Sequence, residues 1–186
     1  MCVSMDKLIK IVKLIEEFKR SDSSLSEIDT QFLLVEPVLW LAGYDIYNPY
    51  IVRRASRSPH SKFDIEVYKN GKLFLVIEVK SFSSSEFNID KQDSEIGKLI
   101  KKCVSYTNRP GDGVGQLRLY CLNDSRCKND NDIIPILTNG KEWVLFDIQL
   151  FRNNPESPIN SKMIIGRAKV TDEDFYEKII KKIKNT

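Results

Sequence analysis

The chain has 186 residues, a length that fits one α/β domain spanning residues 1–186 and able to bury its own core. Its 29 Lys and Arg against 26 Asp and Glu give a formal net charge of +3, which is compatible with a nucleic-acid partner but far from the strongly basic footprint of an electrostatic DNA binder. Four cysteines (Cys2, Cys103, Cys121, Cys127) without CxxC spacing, beside a single histidine, argue against a structural zinc site and a disulfide framework, and the charges at Asp6, Lys7, Lys10 and Lys13 leave no apolar signal region. The apolar runs are too short for a bilayer span, so the expectation is a cytoplasmic protein with reduced thiols and no membrane partner.

From Met5 to Arg20, apolar residues at Leu8, Ile9, Ile11, Val12, Leu14, Ile15 and Phe18 predict an amphipathic helix, broken by Ser21-Asp22-Ser23-Ser24. Ser26 is the expected N-cap of a second helix, with Glu27 and Asp29 in its first turn, a kink at Pro37 and Gly43 as its stop. Glu27 has two readings: an acid favoured by the helix dipole, or a ligand reaching toward a site elsewhere. Tyr44 to Val52 is expected to be an extended edge segment interrupted by Asn48-Pro49. Arg53 to Lys62 then reads as a loop in which Arg53, Arg54 and Lys62 are candidates for phosphate contact.

Lys62 to Lys80 is the most informative stretch. Two alternating β-rich runs flank Asn70-Gly71, predicting a hairpin. A two-residue type I′ loop would place Asp64 on the face of Ile77 and Val79. A three-residue loop with a G1 bulge at Gly71 would put Asp64 opposite Val76 and diagonal to Glu78. The bulged register gathers Phe63, Ile65, Val67, Leu73, Leu75, Ile77 and Val79 on one apolar face, and is therefore expected. Asp64, Glu78 and Lys80 then share the other face, diagonal neighbours lying roughly 7–8 Å apart, close enough for two carboxylates to share a metal ion. The plain alternative is a solvated Lys/Glu face. Against it, Leu73 to Val79 is almost wholly apolar, as in an interior strand, where an acid needs a partner.

Beyond a serine-rich segment (Ser81 to Ser94), Ile96 to Tyr106 resumes a helical period that stops at Arg109-Pro110-Gly111-Asp112-Gly113. Gln116 to Leu122 reads as a short helix with Gln116 and Tyr120 one turn apart. Ile133 to Leu137 and Trp143 to Ile148 form a second hairpin through Thr138-Asn139-Gly140. Phe151 to Ser161 is an Asn/Pro-rich loop, Met163 to Val170 a last strand, and Thr171 the cap of a basic amphipathic helix to Lys184. No GxSxG, P-loop or GxGxxG is present.

Taken together, Asp64, thirteen intervening residues, then Glu78-Val79-Lys80, with Gln116 and Tyr120 in a QxxxY arrangement and the Thr138-Asn139-Gly140 turn before Trp143, resemble the PD-(D/E)xK nuclease superfamily. Within it the chain is similar to the N-terminal nuclease domain of type I restriction enzyme R subunits, over roughly Ser26 to Phe146. Phe63 stands where the motif has proline. The resemblance implies a restriction-endonuclease-like central mixed β-sheet flanked by helices. It also implies a restriction/defence-type deoxyribonuclease, endonuclease rather than exonuclease. Asp64, Glu78, the Val79 carbonyl and Glu27 would hold Mg²⁺, with Mn²⁺ able to substitute. Glu36 is a rival to Glu27 as the acid borne on the helix. Lys80 and Gln116 would be catalytic; Gln116, Tyr120, Arg53, Arg54 and Lys62 would contact DNA. No ATPase motor follows, so a motor or specificity subunit would act in trans. The competing reading is a nuclease fold that binds nucleic acid or protein without cutting.

Overall fold

The computed structural model describes residues 2–21, 24–54, 63–84, 113–153 and 161–184. The expected helix at Ile96 to Tyr106, the segment 85–94, Lys62 with the rest of 55–62, and residues 154–160 lie outside them.

The described residues form a mixed α/β structure. Six strands lie in one open sheet in sequence order: β1 (Val52–Arg54), β2 (Ile65–Lys69), β3 (Lys72–Val79), β4 (Ile134–Thr138), β5 (Glu142–Phe146) and β6 (Ile164–Lys169). Only β3 and β4 pair in parallel; the remaining neighbours are antiparallel. The parallel pair is the one whose connection carries helices, α3 (Gly113–Asn123) and α4 (Ser125–Asn129), as a crossover requires.

Leu75, Ile77 and Val79 of β3 pack on one face of the sheet against α1 (Cys2–Arg20), α2 (Glu27–Thr30, Gln31–Val35, Glu36–Leu41) and the last described helix, α6 (Tyr176–Ile180, Lys181–Ile183). Val76 of β3 and Val144 and Phe146 of β5 pack on the other, against α3, α4 and α5 (Ile148–Asn153). Helices on both faces explain why β3 reads as a continuous apolar run rather than an alternating one.

Helix α2 is a continuous run of Glu27–Thr30, Gln31–Val35 and Glu36–Leu41. Ser26 caps it as expected, its hydroxyl accepting the Asp29 N–H at 3.1 Å. Ahead of Pro37, where a kink is expected, the structure has a π turn over Gln31–Val35, in which the Glu36 N–H reaches back to the Gln31 carbonyl. The widened turn sits just ahead of Pro37, whose ring cannot donate and crowds the preceding turn. Gly43, at φ 94°, ends the helix, with Gly43 N–H on Trp40 and Tyr44 N–H on Leu39.

Four expectations are corrected. Tyr44 to Val52 is a series of turns held by Asp45 and Asn48 side chains, and the edge strand starts only at Val52, so Arg53 and Arg54 belong to β1. The β2–β3 loop is the two-residue type, with Asn70 at φ 53° and Gly71 at φ 77° and Lys69 opposite Lys72. Asn-Gly supplies both positive φ values, matching the strands' twist. The bulge is displaced along β3: Tyr68 faces Leu73 and Val67 faces Leu75, leaving Phe74 unmatched. That extra residue restores the register parity, so Ile65, Val67, Leu75, Ile77 and Val79 share the α1/α2 face, while Leu73 and Phe63 pack on the α3 side.

The third correction is at Ile148, which starts α5 rather than ending β5; the Asp147 side chain accepts the Gln149 and Leu150 N–H groups. The fourth is at Thr171, which lies in a turn rather than capping the last helix. That helix begins after Asp172, whose carboxylate accepts the Lys169 N–H and whose carbonyl accepts the Phe175 N–H.

Candidate functional site

Glu78 lies at the C-terminal end of β3 and Lys80 just beyond it, nearly enclosed at 3% and 5% exposure. Asp64 immediately precedes β2. Because Ile65 faces Ile77, continuing the pairing by one residue sets Asp64 beside Glu78. The two acids therefore share a face, as the sequence predicts, but are directly opposite rather than diagonal. Asp64 is fixed by its Oδ2, which accepts the Val79 N–H at 2.7 Å. In a strand the N–H and C=O of one residue leave by the same edge, so the Val79 carbonyl belongs to the Asp64 side.

The Lys80 ammonium is held on three sides. It donates to Glu78 Oε1 at 3.0 Å and to Gln116 Oε1 at 2.7 Å, and lies 3.6 Å from Glu27 Oε1. Its own backbone N–H donates to the Thr138 carbonyl at 2.8 Å. Gln116 in turn donates through Nε2 to the Tyr120 hydroxyl at 3.2 Å, and the Tyr120 ring meets Phe63 edge-on at 5.9 Å. The one-turn spacing of Gln116 and Tyr120 on α3 thus becomes a relay that aims the Gln116 carbonyl oxygen at Lys80.

Three carboxylates crowd this one ammonium. Burial, then the neighbouring Asp64, push the Glu78 carboxyl up to about 8 despite the opposing pull of Lys80. Burial also raises Asp64, against the Val79 N–H and Lys80, with Glu27 adding to the rise. Lys80 is raised as well: burial works against its charge, and Glu78, Glu27 and Asp64 outweigh it. Glu78 Oε2 is buried with no hydrogen-bond partner. A buried carboxylate oxygen left without a donor is costly, and a cation at that position would satisfy it. Among the described residues no three His, Cys, Asp or Glu side chains are gathered tightly enough to hold an ion by themselves. Two carboxylates, a main-chain carbonyl and waters remain the donor set, of a kind that suits Mg²⁺.

Other candidates fall elsewhere. Glu36 forms a buried two-pronged ion pair with Arg54, both contacts at 2.7 Å, and also accepts from Gln31 at 3.1 Å. This leaves Glu27 as the helix-borne acid at the site and takes Arg54 out of reach of phosphate. Arg53 lies over the Tyr68 ring at 4.5 Å and donates to the Tyr68 hydroxyl at 3.4 Å. Lys62 lies outside the described residues.

Two neighbours escaped the sequence reading. Glu66, two residues beyond Asp64 and on its face, is buried against Arg126, which also grips Asp124; the i, i+2 spacing was the available signal. Gly113, read only as part of a helix stop, packs so close that a Cβ there would lie 2.9 Å from Lys80 Cε and 2.7 Å from Leu137 Cδ1.

No helix among the described residues is long and apolar enough to cross a membrane. Comparison of the chain with protein-family models, with curated proteins and with solved structures finds no match in any of the three, so the assignment of function rests on the geometry of this centre.

Proposed function

We propose that the chain is a Mg²⁺-dependent deoxyribonuclease of the PD-(D/E)xK type, built on a restriction-endonuclease-like sheet and cutting DNA internally. The observation that carries this reading is the meeting of Asp64 and Glu78 beside Lys80 with one buried carboxylate oxygen, Glu78 Oε2, left unpartnered. Asp64, Glu78 and the Val79 carbonyl would hold the ion, with Glu27 at the open side. The bound cation supplies Lewis-acid polarisation of the phosphate and a more acidic water.

The chain's own residues do the rest. The Val79 N–H keeps Asp64 aimed, so no side-chain ordering is needed when substrate arrives. Gln116, locked by Tyr120, fixes the Lys80 ammonium where it can orient an attacking water and stabilise charge building on the phosphate. Burial of Glu78 and Lys80 excludes bulk water and strengthens each of these interactions. A cytoplasmic setting and a motor or specificity subunit in trans accord with this reading.

The second reading, a domain that binds without cutting, draws on the fact that Lys80 is already paired with Glu78. Incubation of plasmid and linear DNA with Mg²⁺ or Mn²⁺ separates the two. Nicking or linearisation that EDTA stops, and that Lys80→Ala lacks, supports the nuclease. DNA retained intact by wild type, or cut equally by Lys80→Ala, overturns it.

A further inference from the structure

We propose that a cavity of about 250 Å³ at the end of α1, on the sheet face opposite to Lys80 and Gln116, is a binding site for a phosphate group. Its lining brings together Lys19 from the last turn of α1, Lys141 from the β4–β5 turn, Lys169 from the end of β6, and the polar side chains of Asn139 and Thr171. Three lysines from three separate elements line one space, Lys141 half-buried and Lys19 and Lys169 exposed at its rim. Among the described residues no carboxylate lies within ion-pair distance of any of them; Glu142, the one acid of the lining, has its Oε1 on Arg167 at 2.6 Å.

A lysine on a surface usually serves solubility, and Lys19 alone would be read as a cation favoured at a helix C-terminus. Lys141 is different. It is half-buried, with its ammonium 4.3 Å from the face of Phe82. Burial and the nearby Lys19 charge hold its pKa below the ordinary lysine value, against the pull of Glu142. A partly desolvated cation thus faces a second, exposed one, an arrangement that an anion relieves.

Asn139 defines the ligand further. It is 5% exposed, and its Oδ1 accepts the N–H groups of Lys141 and Glu142 at 3.1 and 3.0 Å. That fixes the amide's orientation and leaves its NH₂ end as the donor. Ammonium groups, an amide NH₂ and a hydroxyl all donate, so the complement is an oxyanion with oxygens in several directions; a phosphate group answers that description and lysine binds it as a point charge.

Two sources could supply it: a free phosphorylated molecule or the backbone of a nucleic acid. The proposal does not depend on cleavage. The cavity does lie near the acid centre, since Asn139 follows Thr138, whose carbonyl accepts the Lys80 N–H.

The test is a ¹H–¹⁵N NMR titration of the full chain with inorganic phosphate at constant ionic strength, in EDTA. Saturable shifts at the Lys141 and Thr171 amides and the Asn139 side chain are expected, with Gln116 and Tyr120 unmoved. Lys141→Gln with Lys169→Gln should weaken binding at least tenfold, and Lys141→Arg should retain it. The absence of saturation, or equal affinity in the double variant, overturns the site.

A second arm measures duplex DNA binding against salt, again in EDTA, for wild type and the double variant. A slope of log K on log salt that is shallower by about 0.9 for each lysine–phosphate pairing removed assigns the phosphate to a nucleic-acid backbone. An unchanged slope in a variant that no longer binds inorganic phosphate assigns it to a free phosphorylated molecule. Because no cleavage is measured, the nuclease reading and this site can fail separately.

Discussion

Along the α3-side face of the sheet, β2, β3 and the residues flanking them carry two clusters in which a buried and a partly buried carboxylate meet a basic side chain: Glu66 with Asp124 around Arg126, and Glu78 with Asp64 around Lys80. In the first, Arg126 reaches Glu66 at 2.7 and 3.0 Å and Asp124 at 2.6 and 3.0 Å, and Tyr68 accepts from it at 2.8 Å. Asp124 stays below the usual carboxylate range because Arg126 outweighs the burial that would raise it. In the second, one amine serves several acids, Glu78 is driven up to about 8 and its Oε2 has no donor. The first cluster is complete in itself. The second holds an excess of negative charge at the end of a strand, which costs stability and suits a role that an external cation completes.

The sharpest way to break this comparison is to remove each base. Lys80→Ala is expected to lower Mg²⁺-dependent cleavage by about 10²–10³-fold with only a small loss at the urea midpoint near neutral pH, because the Glu78 carboxyl, already raised to about 8, is neutralised by a proton once its partner is gone. Arg126→Ala should do the reverse. Glu66, with a side chain only 3% exposed, would lose its partner. Breaking a fully buried pair costs about 3–5 kcal/mol; with Arg126 more than a third exposed, about 2–3 kcal/mol is expected from urea unfolding, with residual cleavage per folded molecule intact. Equal stability losses at the two positions would erase the distinction.

A pH series sharpens it further. The folded Glu78 carboxyl at about 8 lies above its ordinary value of 4.5. The folded chain therefore keeps a proton that the unfolded chain releases, and the stabilisation is full below about 4.5 and lost as pH rises through about 8. Asp64 is raised too and acts in the same sense; Lys80, raised from an already high value, acts only at more alkaline pH. In EDTA the thermal midpoint should fall between pH 6 and pH 8.5. Glu78→Gln should flatten that fall, and added Mg²⁺ should oppose it in wild type alone. A midpoint that rises over this range in EDTA would contradict the direction assigned to Glu78.

The smallest change is at Gly113. Gly113→Ala places a methyl against Lys80 Cε and Leu137 Cδ1, an overpacking worth about 1–3 kcal/mol. Cleavage should fall through kcat with little change in KM, since Lys80 is displaced and not removed. An unaltered kcat would show that α3 does not set the position of the ammonium.

What the sequence made legible follows from what is periodic. Strand parity put Asp64, Glu78 and Lys80 on one face, because an apolar set as long as Ile65 to Val79 admits only one parity. The place of the extra residue was not legible: a bulge at Gly71 and one at Phe74 preserve the same parity, and the choice falls to the turn, where Asn70 and Gly71 both adopt positive φ. Likewise the helical spacing of Gln116 and Tyr120 was visible, as was the cap at Ser26.

Choosing between Glu27 and Glu36 was beyond a 3.6-residue period, since the π turn at Gln31–Val35 changes the phase between them. The capture of Arg54 by Glu36, and of Glu66 by Arg126, spans 18 and 60 residues of chain and leaves no local pattern. Arg53, Arg54 and Lys62 looked alike as a basic run; only tertiary pairing distinguished the first two.

The tether on Asp64 is a peptide group, and that has a consequence for how the centre can vary. Whatever side chain fills the core at position 79, the amide above it is the same, and only proline would delete the donor. The interior of the domain can thus drift in volume and shape around this strand without disturbing the aim of its acid.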